Sequence, residues 1–137
     1  MMNKDYLIMN TNQANDSATL LKRWLENRND GKSFVDYFHE YGCSSIIIFD
    51  AGEIGRLLYE EVKDSDIKVL CFYDRNAEGI REIDGIPVYT FAMVGEMTKT
   101  DMVVVSTCFN YSEVVRMLVG IDTKIRSVYM RDAVYEF

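Results

Sequence analysis

From Gly42 to the C-terminus the chain alternates short apolar runs with amphipathic ones. Ser45–Phe49 and Met102–Ser106 are nearly continuous apolar runs rich in β-branched residues, the pattern of strands buried on both faces. Lys68–Tyr73 reads as another strand, and Pro87–Tyr89 and Arg126–Tyr129 as shorter ones. Between them lie helical stretches. Ile54–Lys63 turns Ile54, Leu57, Leu58 and Val62 to one side, a weak helix is expected around Phe91–Glu96, and a third covers Tyr111–Leu118. Asp84-Gly85 has the chemistry of a tight turn. Strands that alternate with helices imply right-handed crossovers and a mostly parallel sheet. The expected fold is a three-layer, Rossmann-like α/β domain with strand order 3-2-1-4-5. Ser45–Phe49 is its central strand, and the switch point lies between the first and fourth strands.

Before Gly42 the period is helical. Ser17 is placed to cap a helix running to about Arg28, with Leu20, Leu21, Trp24 and Leu25 on one face. Asp30-Gly31 ends it, and Ser33 caps a second helix whose stripe is Phe34, Tyr37, Phe38 and Tyr41. Residues 1–42 are thus expected to form a helical extension packed on an α/β domain spanning 43–137. The aromatic content of residues 20–41 exceeds what a short helical pair needs. A homodimer using part of the Trp24, Phe34 and Phe38 region is therefore expected as well.

Composition narrows the function. The chain has 137 residues, 48% of them hydrophobic, enough for one core. The formal net charge of −7 disfavours nucleic acid and anionic membranes as partners. No apolar run is long enough to span a bilayer, and residues 1–15 lack the apolar stretch of a signal peptide, so membrane insertion is not expected and a cytoplasmic protein is. Cys43, Cys71 and Cys108 are widely spaced without a paired motif, and read as reduced thiols packed as small apolar groups. The lone histidine, His39, has no partner at ligand spacing, so no metal site is expected.

The candidate chemistry sits where the first strand meets its helix, in Asp50-Ala51-Gly52-Glu53-Ile54-Gly55. A dinucleotide-binding turn has the form Gly-x-Gly-x-x-Gly. Gly52 and Gly55 occupy its second and third glycine places, and Asp50 stands in the first. A carboxylate there faces the phosphate position, and Glu53 lies in the first turn of the helix. At about 4 Å and an effective dielectric of about 20, each like-charge contact costs about 4 kcal/mol before screening. Asp74 ends the second strand, where an acid can bond ribose hydroxyls or simply form a turn with Arg75 and Asn76. Ser106, Thr107 and Asn110 follow the fourth strand and face the same crevice, either as caps or as ligand contacts. The candidate binding residues are Gly52, Glu53, Ile54, Gly55, Asp74, Arg75 and Thr107. No catalytic residue is assigned: Tyr59 and Lys63 are ordinary helix spacing, and Cys108 has no nearby basic residue to make a thiolate.

Ile46–Ile67, Phe72-Tyr-Asp-Arg-Asn76, Ile83-Asp-Gly-Ile-Pro-Val88 and Met102–Thr107 together resemble the small Rossmann-like domains of bacterial polysaccharide-biosynthesis proteins. These include the N-terminal nucleotide-binding regions of nucleotide-sugar epimerase- and dehydratase-like enzymes. The resemblance covers about residues 20–137 and implies a complete chain. Members carry Tyr-Gly-Ala-Gly-Glu-Ile-Gly where this chain has Phe-Asp-Ala-Gly-Glu-Ile-Gly. The resemblance implies a ligand of the NAD, NADP or nucleotide-sugar kind, without fixing which. It also implies a non-catalytic binding module serving surface-polysaccharide synthesis. The alternative is a protein–protein interaction subunit whose Rossmann-like scaffold has lost its ligand. An enzyme is the least favoured reading, because the catalytic half of such enzymes is missing.

Overall fold

A computed structural model of the chain describes residues 4–94, 100–122 and 124–137, with side chains from residue 12 onward. It is a mixed α/β structure built on one six-stranded, mostly parallel sheet. In chain order come α1 (Lys4–Asn29), α2 (Phe34–Glu40), β1 (Ser45–Phe49), α3 (Glu53–Val62), β2 (Lys68–Tyr73), α4 (Ala77–Ile80) and β3 (Glu82–Ile83). Then follow β4 (Ile86–Tyr89), α5 (Phe91–Val94), β5 (Met102–Val105), α6 (Tyr111–Ile121), β6 (Ser127–Tyr129) and α7 (Met130–Ala133).

The sheet order is β3-β4-β2-β1-β5-β6. It differs from the expected five-strand order by a sixth strand at one edge. That strand, β3, pairs antiparallel with β4 across Asp84-Gly85. Both turn residues have positive φ, 52° at Asp84 and 80° at Gly85, as a two-residue hairpin requires. The turn was legible in the sequence, but the two-residue strand before it was not, because Glu82-Ile83 is too short to show alternation. The side chain of Asp84 also accepts a hydrogen bond of 2.5 Å from the Tyr59 hydroxyl, which pins the hairpin to α3.

β1 lies in the middle, parallel to β2 on one side and β5 on the other, as its apolar faces require. Its alternate residues feed two cores. Ile46 and Ile48 pack with Leu58, Phe72, Val104 and Met130 on one face. Ile47 and Phe49 pack with Cys71, Val105, Phe109, Val114 and Leu118 on the other. Helices therefore cover both faces of the sheet.

The N-terminal helical pair is present, with two corrections. Ser17 does not cap α1, which begins at Lys4, more than three turns earlier. Residues 4–16 have no apolar period that would announce a helix. Asp16 and Ser17 instead reach across to the sheet: Asp16 pairs with Arg131 at 2.7 Å, and Ser17 bonds Thr107 at 2.6 Å. The second correction concerns the expected dimer surface. Phe34 and Phe38 are fully buried and Trp24 nearly so, in the same core as Ile46 and Ile48, so none of the three is available to a partner. Trp24 stacks edge-on against Phe34 with ring centroids 5.1 Å apart. Ser33 does cap α2, accepting from Asp36 N–H at 3.2 Å. Gly31 takes up positive φ after α1, and Gly42 does so just beyond α2. The last two residues of the helix expected over Phe91–Glu96 lie outside the described residues.

No helix among the described residues is long and apolar enough to cross a membrane.

Candidate functional site

The turn between β1 and α3 is shaped by the side chain of Asp50. This residue is 3% exposed, and its carboxylate folds over the start of the helix. Oδ1 accepts from Gly52 N–H at 2.6 Å and Oδ2 accepts from Gly55 N–H at 3.1 Å. Gly52 is the N-cap position and has no side chain to do this work. Asp50 performs the capping from two residues further back, placing negative charge at the positive end of α3. In a dinucleotide-binding turn that place belongs to the pyrophosphate.

The glycines serve this arrangement. A Cβ on Gly52 would sit 2.9 Å from Asp50 Oδ1, and one on Gly55 would sit 1.8 Å from the Asp50 carbonyl oxygen. Gly55 thus does what the third glycine of the fingerprint does, letting helix and strand approach. Gly52 makes room for the chain's own carboxylate.

Asp74 is likewise engaged. Its Oδ2 accepts from Ala51 N–H at 3.1 Å and its Oδ1 from Asn76 N–H at 2.9 Å. It closes its own turn and ties β2 to the β1–α3 turn. Arg75 is exposed and lays its guanidinium over the Phe109 ring, 5.5 Å from the centroid. Phe109 packs against Phe49 and Tyr73 at 5.3 and 5.8 Å, so aromatic carbon lies between Arg75 and the sheet. Glu53 is exposed in the first turn of α3, and Ile54 is buried in the core.

Thr107 is fully buried and bonded to Ser17. Ser106 Oγ accepts from Cys108 N–H at 3.2 Å. Asn110 caps α6 by accepting from Glu113 N–H, which is the capping alternative for that residue. Cys108 is exposed rather than packed, which corrects the expectation of three packed thiols. Its thiol is pushed above its usual range by desolvation and by the nearby Asp50 carboxylate, the opposite of the shift that activates a cysteine.

The seven candidate residues are therefore only partly brought together. Gly52, Glu53, Ile54 and Gly55 form one turn, and Asp74 bonds it directly. Arg75 stands over Phe109, and Thr107 is turned toward α1. A diphosphate does not fit these residues as they stand, because two of the N–H groups that would cradle it already hold Asp50.

Sequence reasoning passed over Asp16 and Glu61, and gave Ser17 only a capping role. The side chain of Glu61 is 4% exposed and accepts from Trp24 Nε1 at 3.1 Å, from Phe34 N–H at 2.8 Å and from Arg28 at 2.5 Å. It joins α1, α2 and α3. Its only signal was a glutamate one turn after Leu57 and Leu58, and of these only Leu58 is buried, Leu57 being 49% exposed rather than turned inward. A groove of about 370 Å³ lies beside it, between α1 and α3 and away from the glycine turn. A second cleft of about 280 Å³ lies between Asp16, Thr107 and Tyr129. His39 is exposed and pairs with Asp66 at 2.6 Å. Among the described residues no group of three or more His, Cys, Asp or Glu side chains could hold a metal ion.

Comparisons with known protein families, with curated proteins and with solved structures found no match to this chain.

Proposed function

We propose that this chain is a non-catalytic, cytoplasmic interaction subunit on a Rossmann-like scaffold, whose nucleotide seat is held by its own Asp50. The setting, surface-polysaccharide synthesis in bacteria, rests on the sequence resemblance. The observation that carries the reading is the pair of hydrogen bonds from Gly52 and Gly55 N–H to the Asp50 carboxylate. An incoming diphosphate would have to displace a buried, doubly bonded carboxylate and then stand beside its charge. The engagement of Asp74 with Ala51 N–H supports the same reading, since an acid so bonded is less free to receive a ribose.

A thermal-shift series with NAD, NADP, coenzyme A and UDP-sugars tests it. A ligand at 100 times its dissociation constant adds about 2.7 kcal/mol of stability. The parent chain is expected to show no shift with any of them. A clear rise in melting temperature would instead establish the second reading, a nucleotide or nucleotide-sugar binding module. The retained Gly52, Gly55 and Asp74 speak for that reading.

A further inference from the structure

The two halves of α1 are held in different ways. From Leu20 onward the helix is packed. Leu20 and Trp24 are buried in the core, and Arg23 and Asn27 both donate to the carbonyl oxygen of Val134, at 3.3 and 2.7 Å. Between Asn12 and Thr19 no residue is buried. Among the described residues, the side-chain hydrogen bonds of that stretch to the rest of the chain come from Asp16 and Ser17. Asp16 accepts from Arg131 at 2.7 Å and from the Tyr129 hydroxyl at 3.3 Å, and the Ser17 and Thr107 hydroxyls share a bond of 2.6 Å. Next to these contacts a cleft of about 280 Å³ separates Asn12, Gln13 and Asp16 from Asn110 and Tyr111 at the start of α6. The helix bridges a hollow here instead of filling it. Its composition agrees. Asn12, Asn15, Asp16, Ser17 and Thr19 are weak helix formers, because their side chains compete for the backbone or crowd the preceding turn.

We propose that residues 12–19 are a lid over the carboxyl ends of β5 and β6, latched by Asp16 and Ser17, which unwinds as far as Thr19 while residues 20–29 stay docked. Opening leaves no buried charge behind. Arg131 keeps Asp132 at 3.4 Å, and the hydroxyls of Thr107 and Tyr129 exchange a protein partner for water. The latch pair is itself partly exposed, 31% at Asp16 and 40% at Arg131, so salt weakens it. What opens is the end of the sheet at which parallel α/β folds take their ligands. Thr107, fully buried while the lid is down, then lines an open crevice. The lid gates that crevice whether or not Asp50 holds the head of α3, so it fails or stands separately from the proposed function.

Two measurements test the lid. Amide exchange on the full chain reads both halves of α1. Residues 12–19 are expected to exchange on the order of a hundredfold faster than residues 20–29, yet more slowly than an unstructured peptide. Asp16→Asn should speed exchange of the first stretch about fivefold, the equivalent of one exposed ion pair, and leave the second unchanged. Thiol labelling reads the crevice itself. In a Cys108→Ser background, Thr107→Cys puts a thiol under the lid, while Cys43 and Cys71 stay buried in the cores. It should react at urea concentrations too low to change Trp24 fluorescence, and faster in about 1 M salt or with Asp16→Asn added. Equal protection in both halves of α1 overturns the proposal, as does a first stretch that exchanges like an unstructured peptide. So does labelling of Thr107→Cys that follows global unfolding or that ignores Asp16→Asn.

Discussion

At the head of α3 one side chain does what a capping residue and a bound anion each do elsewhere. Replacing Asp50 by Ala leaves the Gly52 and Gly55 N–H groups without their partner in a largely buried turn. The expected cost is about 2 kcal/mol in urea unfolding. Gly55→Ala should cost more, about 3 kcal/mol, because its Cβ would strike the Asp50 carbonyl oxygen and backbone must move. Gly52→Val should also destabilise the parent, through collision with the Asp50 side chain, whether or not any nucleotide binds. The departure from the glycine fingerprint was plain in the sequence. That the carboxylate would turn back onto the helix was not, since an Asp after a strand forms turns, binds ligands or caps with equal ease. The burial of Thr107 against Ser17 was equally hidden, because 90 residues separate them.

Among the elements, the strands were the most legible. Ser45–Phe49 and Met102–Val105 are buried on both faces, and a run without polar interruption announces that directly. α1 was half legible. Its second half has a clear period, while its first half is polar and is held at Asp16 and Ser17 by contacts no local pattern reveals. Glu61 carries the junction of the three helices on that face. Glu61→Ala is expected to cost about 3 kcal/mol, because Phe34 N–H, Trp24 Nε1 and the Arg28 guanidinium all lose their acceptor. The urea midpoint followed by Trp24 fluorescence measures it directly, since the indole is one of the groups released.

For the molecule as a whole, alkaline pH is the informative perturbation. Burial pushes the Cys71 thiol up to about 12 from an ordinary 9.0. Burial, and then the Asp16 carboxylate, push Tyr129 up to about 12 from 10.0. Both groups hold their protons more tightly folded than unfolded, so their contribution is complete below the ordinary values and is lost as pH rises toward the folded ones. The melting temperature should therefore fall as pH rises from 9 to 12. Cys71→Ala should flatten the early part of that fall.

Whether Asp50 or a nucleotide holds the head of α3 is tested most directly by calorimetric titration of the parent beside Asp50→Gly with NAD and UDP-glucose. The expected result is no binding heat in the parent at millimolar ligand, and measurable binding once the carboxylate is gone and two N–H groups are free. Tight binding in the parent that disappears in Asp50→Gly would contradict it, and would make Asp50 a contact for the ligand rather than its replacement.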